Sequence, residues 1–311
     1  MTNFRDVIEE NQKKTKIVLG IYFVLYAIIG LLVDIVILGG EGSLSSAFLS
    51  LITFQNIPFF TIGMLIFAVI TVIISIKAFA KIQLSGEENI LVDSDNKEYR
   101  DLYNMVEEMK IAANMSYMPD VYIIEADYMN AFASGWSEDN TMIAVTRGLY
   151  DKLNRQELSA VVAHELTHIR NEDIKLTLVV GVATNIMLMV VQYAFYMFLG
   201  RNDRGGSASK ARMILTVLNF VLPVLTLVLQ MWMSRTREYM ADAGSVELSR
   251  DPDSMIGALK KISGDYDDND YEDDDNATRR AAYIFDSGIS LFSTHPSIES
   301  RIDKIKGEDL N

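Results

Sequence analysis

Four long apolar stretches alternate with polar segments along this chain. They cover residues 17–38, 58–76, 176–200 and 213–234, and each contains at most one charged residue. A helix needs about 20 mostly apolar residues to cross the hydrocarbon core of a bilayer. The pattern therefore predicts four transmembrane helices and a lipid bilayer as the environment of this protein.

The polar segments show the shorter periods of a folded domain. Residues 98–113 and 153–173 have the spacing of helices, whereas 121–125 and 142–146 are typical of β-strands. One helical stripe is interpreted as core packing and consists of Leu102, Met105, Val106 and Met109. The sequence thus predicts a mostly α integral membrane protein with an added α+β domain and a small sheet.

The apolar stretches divide the chain into four parts. Residues 1–76 form an N-terminal anchor with two transmembrane helices, and residues 174–234 form a transmembrane helical hairpin. Residues 77–173 and 235–311 lie on either side of that hairpin. Because these two parts contribute to the same candidate site, we predict that they form one discontinuous domain.

Lysine and arginine residues predict the orientation of the first pair of helices. They precede the first stretch and follow the second, whereas the loop 39–57 has none. Cytoplasmic loops carry an excess of these residues, so the N-terminus and the chain after residue 77 are predicted to be cytoplasmic. The residues concerned are Arg5, Lys13, Lys14, Lys16, Lys77 and Lys81.

The second pair of helices has two possible arrangements. Its connecting loop carries four cations, Arg201, Arg204, Lys210 and Arg212, and lies outside if both helices cross. We expect two full crossings, because the first helices usually dominate orientation. A hairpin embedded in the membrane without crossing is the alternative.

Composition excludes several classes of function. A net charge of −14 and a pI near 4.7 argue against a nucleic-acid partner. The absence of cysteine excludes disulfides and thiolate metal sites. No P-loop or GxGxxG pattern occurs, so no nucleotide is expected. The acidic run 265–275 predicts a solvated loop, with a calcium site as a less favoured alternative.

The sequence HELTH at residues 164–168 is the strongest chemical signal. In a helix, positions i and i+4 lie one turn apart on the same face, so His164 and His168 can bind one zinc ion. Glu165 then stands where a general base can take a proton from a zinc-bound water. A surface helix that happens to contain two histidines is the alternative.

The hairpin predicts the third metal ligand. Antiparallel helices joined by a short loop bring their free ends together, which places Glu238 near His164 and His168. Catalytic zinc takes three protein ligands and keeps one open position. Alternatively, Glu238 only pairs with Arg235 or Lys175.

Asp242 lies one helical turn beyond the predicted third ligand. On the same face, it can accept a hydrogen bond from a ligating histidine and fix the orientation of that ring. A charge on the helix surface is an equally weighted alternative.

Two further roles are predicted around the site. His295, followed by the stiffening Pro296, is the candidate donor to the oxyanion, with a surface histidine as the alternative. An edge strand can bind an extended peptide through backbone hydrogen bonds, although a plain connecting strand would look the same. Its candidate substrate-binding residues are Asn130, Ala131, Phe132 and Ala133.

Taken together, these motifs resemble the HtpX-type membrane metalloproteases, relatives of the CAAX prenyl proteases in the gluzincin class. The resemblance covers nearly the whole chain. It rests on HELTH, the apolar hairpin, SRTREYMAD at 234–242, STHP at 293–296, NAFASG at 130–135 and TRGL at 146–149. The acidic run 265–275 departs from the family pattern and looks like an insertion.

The resemblance implies a zincin-like protease domain with one zinc ion per chain. It implies a multi-pass protein of the cytoplasmic membrane whose active site faces the cytoplasm. The zinc ligands would be His164, His168 and Glu238, with Glu165 as general base. The implied substrates are unfolded or damaged membrane proteins, in protein quality control and the stress response. No oligomeric state follows from the resemblance.

Two other functions compete with an endopeptidase. The first is a non-catalytic zinc-binding membrane scaffold; structural zinc sites usually have four protein ligands, often thiolates, and this chain has no cysteine. The second is a transporter or channel, suggested by polar residues at membrane depth. These residues are Asp34, Asn185, Asn219 and Gln230.

Overall fold

The computed structural model describes most of the chain. The described residues are 4–38, 43–83, 88–175, 187–193, 195–196, 207–268 and 296–307. The helices are α1 (Phe4–Leu38), α2 (Leu44–Ile52), α3 (Phe59–Gln83), α4 (Arg100–Ala112), α5 (Arg147–Lys152), α6 (Arg155–Arg170), α7 (Ser207–Ser249), α8 (Pro252–Asp268) and α9 (Ile298–Lys306). The strands are β1 (Asn89–Val92), β2 (Asp120–Ile124), β3 (Ala131–Ser134) and β4 (Met142–Thr146).

These elements form two compact units. One contains the described residues of Met1–Lys13, Ile76–Leu178 and Gln230–Asn311, and the other contains those of Lys14–Ser75 and Val179–Leu229. The first unit holds the sheet and the polar helices, and the second holds the apolar helical segments. The predicted mostly helical chain with a small sheet is confirmed.

Within the part of the chain that the structure describes, the sheet has four strands in the order β1-β2-β4-β3. Its inner pair, β2 and β4, is parallel, and each outer strand is antiparallel to its neighbour. Among the described strands, β3 is therefore an edge strand. Residues alternate between the two faces of the sheet, and Val121, Ile123 and Ile143 pack into the main core with the buried side of α6.

Helix α4 packs in the same core through the predicted stripe. Leu102, Met105 and Val106 are buried and Met109 is partly buried. Helix α6 begins with a capping box, in which Asn154 accepts from the Glu157 N–H and Glu157 accepts from the Asn154 N–H. Two otherwise unpaired N–H groups are satisfied in this way, which defines where the helix begins.

The apolar helices agree in part with the predicted spans. Among the described residues, Gln12–Leu38 is long and apolar enough to cross a membrane. Phe59–Ile70 and Met213–Val224 are shorter apolar helices within the second and fourth predicted stretches. Most of the third stretch lies outside the described residues. The count of four transmembrane helices stays a prediction.

Asp34 has a structural explanation within the apolar unit. Its buried carboxylate accepts from the backbone N–H groups of Phe60 and Thr61, at 3.0 and 2.8 Å, and from the Thr61 hydroxyl. A carboxylate at a helix N-terminus satisfies unpaired N–H groups and complements the helix dipole. Gly30 permits the approach, because a Cβ there would lie 2.5 Å from the Thr61 Cα. Asp34 therefore gives no support to a transport pathway.

Asn219, another polar residue at predicted membrane depth, is satisfied within its own helix. Its side-chain amide donates to the Leu215 carbonyl at 2.9 Å. Asn185 and the Gln230 side chain lie outside what the structure describes.

Candidate metal centre

Two imidazoles lie close together on one face of helix α6. His164 and His168 are one turn apart, and their Nε2 atoms lie 3.1 Å from each other. The His164 side chain is fully buried, and that of His168 is 16 % exposed. The spacing of the HELTH motif accounts for this arrangement through helix geometry alone.

Among the described residues, Glu238 on α7 completes a cluster of three. Its Oε2 lies 3.6 Å from the His164 Nε2, and its Oε1 lies 3.9 Å from the His168 Nε2. One ligand atom from each residue lies within 4.8 Å of the others. Tetrahedral zinc with bonds of about 2.1 Å separates its ligand atoms by about 3.4 Å. The observed spacing therefore fits a zinc ion with three protein ligands.

Of the two alternative partners named for Glu238, only the Lys175 side chain is described, and it pairs with another carboxylate. Lys175 pairs with Glu172 at 3.1 Å, and the Arg235 side chain lies outside what the structure describes. Among the described side chains, Arg301 is a cation near Glu238, with its Nη1 3.7 Å from Oε2.

Small residues bring α7 against α6. Ala241, Gly244 and Ser245 are buried, and the Ser245 hydroxyl donates to the Ala160 carbonyl at 2.6 Å. A Cβ on Gly244 would overlap the Cγ2 of Thr167 and lie 2.5 Å from its Oγ1. This close approach sets the distance from Glu238 to the two histidines.

Gly244→Ala is therefore expected to weaken both stability and zinc binding. The added methyl overpacks the α6–α7 contact, and overpacking typically costs about 1–3 kcal/mol. Thr167→Ala removes the two nearest overlapping atoms but leaves the Thr167 Cβ at 2.9 Å, so the double variant should recover part of the loss. Thermal unfolding and zinc titration of both variants would measure the effect.

Gly264→Ala in α8 is the matched control. A Cβ there meets nothing within 4 Å, so the same change should be neutral or slightly stabilising. If Gly244→Ala behaved like Gly264→Ala, the helix contact would not set the ligand geometry.

A buried carboxylate stands behind each imidazole. The His168 Nδ1 lies 3.0 and 3.2 Å from the two carboxylate oxygens of Asp173. The His164 Nδ1 lies 3.0 Å from the Asp242 Oδ1. A proton on each Nδ1 leaves both Nε2 lone pairs directed at the metal position.

The electrostatic field at the cluster favours positive charge. Burial disfavours a protonated His168, yet Asp173, Glu238 and Glu165 outweigh burial and raise its pKa to about 9. Burial is likewise outweighed at His164, where Asp242 and Glu238 raise the pKa. A field that stabilises an imidazolium also stabilises a bound cation.

Arg301 anchors the carboxylate behind His164. Its Nη2 and Nε donate to the two oxygens of Asp242 at 2.6 and 2.9 Å, and Arg301 is fully buried. Burial alone would raise the pKa of Asp242, but Arg301 and His164 lower it. Asp242 therefore stays ionised and keeps its role toward His164.

Glu165 lies on the sheet side of the cluster. It is 2 % exposed, and burial raises the pKa of its carboxyl while a hydrogen bond from the Ala133 backbone opposes the rise. A carboxyl with a raised pKa is better suited to accept and return a proton near neutral pH. The contact also links the candidate base to strand β3.

Of the predicted substrate-binding residues, three lie in strand β3 and one, Asn130, directly precedes it. Asn130, Ala131, Phe132 and Ala133 are buried. The Asn130 N–H donates to the Thr146 hydroxyl, and the Thr146 N–H donates to the Asn130 carbonyl. Because antiparallel residues alternate, Ala131 and Ala133 direct their backbone groups away from β4.

Two features predicted from the sequence lie outside the described residues. His295 is one of them, although the next residue, Pro296, is buried. Residues 269–275 of the acidic run are the other. At the start of that run, Asp265 forms a 2.5 Å ion pair with Lys152.

Comparison with known proteins identifies the family. The model of peptidase family M48 matches residues 96–309, which is more than half of the chain and includes all the residues of the cluster. The chain belongs to peptidase family M48. Its sequence resemblance to HtpX-type proteases is thereby confirmed, and the family together with the His-His-Glu cluster supports a membrane metalloprotease.

Relatives of this M48 peptidase match it over nearly its full length. A protease HtpX homolog of Helicobacter pylori (strain Shi470) is 48 % identical over 98 % of each chain. One from Streptococcus pyogenes serotype M28 (strain MGAS6180) is 33 % identical over 96 % of this chain and 98 % of its own.

A solved structure shares the fold of this M48 peptidase. The crystal structure of S. mikatae Ste24p matches with a TM-score of 0.54 and 15 % identity, covering 81 % of this chain and 59 % of that one. At this identity the likeness shows the fold alone.

Sequence reasoning missed two residues of the M48 site. Asp173 follows His168 by five residues, so an acid just beyond the histidine helix was an available signal. Arg301 is 59 residues from Asp242, and no local pattern in the sequence links them.

Proposed function

We propose that this chain is a zinc-dependent endopeptidase of the cytoplasmic membrane. It would hydrolyse peptide bonds of unfolded or damaged membrane proteins in protein quality control, with its site on the cytoplasmic side of a multi-pass protein. The observation that carries the proposal is the convergence of His164, His168 and Glu238 beside the buried carboxyl of Glu165.

Zinc held by these three residues would lower the pKa of a bound water to about 7 and polarise the scissile carbonyl. Glu165 accepts the proton of the attacking water and returns it to the leaving amine nitrogen. Asp242 and Asp173 keep the two imidazoles oriented during the reaction. His295 is proposed as the donor to the oxyanion that develops on the carbonyl oxygen.

The substrate is proposed to extend strand β3. The backbone groups of Ala131 and Ala133 face away from β4. Their N–H groups donate to the Asn130 side chain and to Glu165, so an extended peptide is proposed to pair with their carbonyl oxygens. Backbone pairing depends little on side chains, which suits an enzyme for unfolded chains. The Ala133 contact to Glu165 places this strand next to the proposed base.

A non-catalytic zinc scaffold is the second candidate. It is favoured only by the firm support that buried carboxylates and Arg301 give to the ligands. A structural site usually closes the zinc with four protein ligands. Among the described residues, the proposed ligands number three, and the buried carboxyl of Glu165 is proposed as the base, which favours the enzyme.

Metal removal tests the proposed function directly. The detergent-purified chain, treated with a chelator, should lose cleavage of an unfolded protein, and added zinc should restore it. Cleavage sites mapped by mass spectrometry should show little sequence preference. The native form of the same substrate serves as the control and should be cut much more slowly. Full activity of the metal-free protein would refute a zinc peptidase.

A further inference from the structure

The end of α6 contains a left-handed turn. The helix ends at Arg170, and two residues later Glu172 has a φ of 56°. Only glycine adopts this region without cost, so a glutamate there needs support from its surroundings. The Glu172 N–H donates to the Ile169 carbonyl at 3.1 Å. Asp173 follows this turn directly, and its carboxylate contacts the His168 imidazole.

Asp173 contacts His168 with both carboxylate oxygens. The distances from Nδ1 are 3.0 and 3.2 Å, and Asp173 is 1 % exposed. Rotation of the imidazole about its bond to Cβ would break this contact. The position of Asp173 therefore fixes the direction of the His168 Nε2, which is the proposed ligand atom.

Arg237 fastens this turn to α7. Its Nη1 donates to the Asp173 backbone carbonyl at 3.1 Å, in a partly buried contact. Arg237 directly precedes Glu238, and Asp173 directly supports His168. This hydrogen bond therefore connects the residue before one proposed ligand, Glu238, to the residue that contacts another, His168. The two proposed ligands lie on opposite sides of the predicted hairpin in the sequence.

The N-terminal helix reaches the same turn. The Gln12 Nε2 donates to the Glu172 Oε2 at 2.9 Å, and the apolar segment Gln12–Leu38 begins at this residue. This contact is exposed, so its contribution is expected to be smaller than that of Arg237.

We propose that the turn 171–173, held by Arg237, is a positioning element that keeps His168 in register with Glu238. It supplies no atom to the reaction. The inference rests on the proposed zinc site, and it adds that zinc affinity depends on how α7 holds the turn. Loosening the turn should lower zinc affinity although every ligand is present.

Two substitutions of Glu172 distinguish the effect of its backbone conformation on zinc binding from the effect of its side chain. Glu172→Gly keeps the left-handed turn available and should bind zinc much as the wild type does. Glu172→Val strongly disfavours it and should weaken zinc binding by about 10- to 100-fold, the usual range when support of a ligand is lost. Zinc affinity would be measured by competition with a chromophoric chelator. The visible absorption of the cobalt-substituted protein would report the ligand geometry.

Arg237→Gln gives an independent test, because an electrostatic role and a positioning role of Arg237 predict opposite changes in zinc affinity. Removing a positive charge near a cation site should tighten zinc binding if only electrostatics matter. A positioning role predicts weaker binding and an altered cobalt spectrum. Arg170→Gln is the matched control, because Arg170 also joins α6 to α7 but contacts the exposed carboxylate of Glu247. It should leave affinity and spectrum unchanged.

The outcomes distinguish this inference from the proposed function. If the wild type does not bind zinc, the proposed function itself fails. If the wild type binds zinc while Glu172→Val and Arg237→Gln keep its affinity and cobalt spectrum, the positioning element is overturned. Weaker binding in both variants with Glu172→Gly and Arg170→Gln unchanged supports it.

Discussion

Glu165→Gln is expected to lower peptide hydrolysis by about 100- to 10,000-fold, the usual contribution of a positioned acid–base group, while zinc stays bound. The amide has the shape of the carboxyl but cannot accept the proton of the attacking water. Folding should not suffer, because Glu165 is 2 % exposed and a neutral amide is easier to bury than a carboxylate.

The measurement is a time course of cleavage of an unfolded protein, with zinc content determined on the same samples. Glu108→Gln is a suitable control, since it makes the same chemical change at an exposed carboxyl that pairs with Arg155 on α6. It should retain wild-type activity. Substantial cleavage by Glu165→Gln would mean that another group is the base.

Glu238→Ala is expected to lower zinc affinity by more than about 100-fold, because loss of a supporting residue alone costs about 10- to 100-fold. The substitution removes the only proposed ligand that carries a negative charge. It also takes a carboxylate from the surroundings of the buried Arg301, so the metal-free protein should unfold at a lower temperature than the wild type.

Zinc affinity at fixed pH and thermal unfolding without zinc would separate these two effects. Glu247→Ala is the matched control, because Glu247 lies on the same helix, is exposed and pairs with Arg170. It should change neither quantity appreciably. Unchanged zinc affinity in Glu238→Ala would show that the third ligand is another residue.

The two predictions rest on residues that the sequence indicates by different routes. His164, Glu165 and His168 follow from a local spacing, and Glu238 follows from the expected return of a hairpin. The structure brings His164, His168 and Glu238 together and places Asp242, which the sequence left between two alternatives, beside His164. The strand predicted at 142–146 has the bounds of β4, and that at 121–125 differs from β2 by one residue at each end.

Local patterns in the sequence reveal the histidine motif and the strands, because these features depend on the geometry of residues close together in the chain. The period of a helix, the alternation of a strand and the length of an apolar stretch involve residues close to one another in the chain. Once HELTH is helical, the spacing of its residues alone places the two histidines on the same face. This is why the histidine face, the sheet and the family were accessible from the sequence.

Only the tertiary structure decided how the ligands are held. Arg301 meets Asp242 across 59 positions of chain, Gly244 fits against Thr167 on another helix, and Asp173 reaches His168 through a left-handed turn. Each contact depends on the packing of elements distant in sequence or on a backbone conformation that its residue type does not favour. No local pattern records such contacts, because their energies arise only when the folded elements meet.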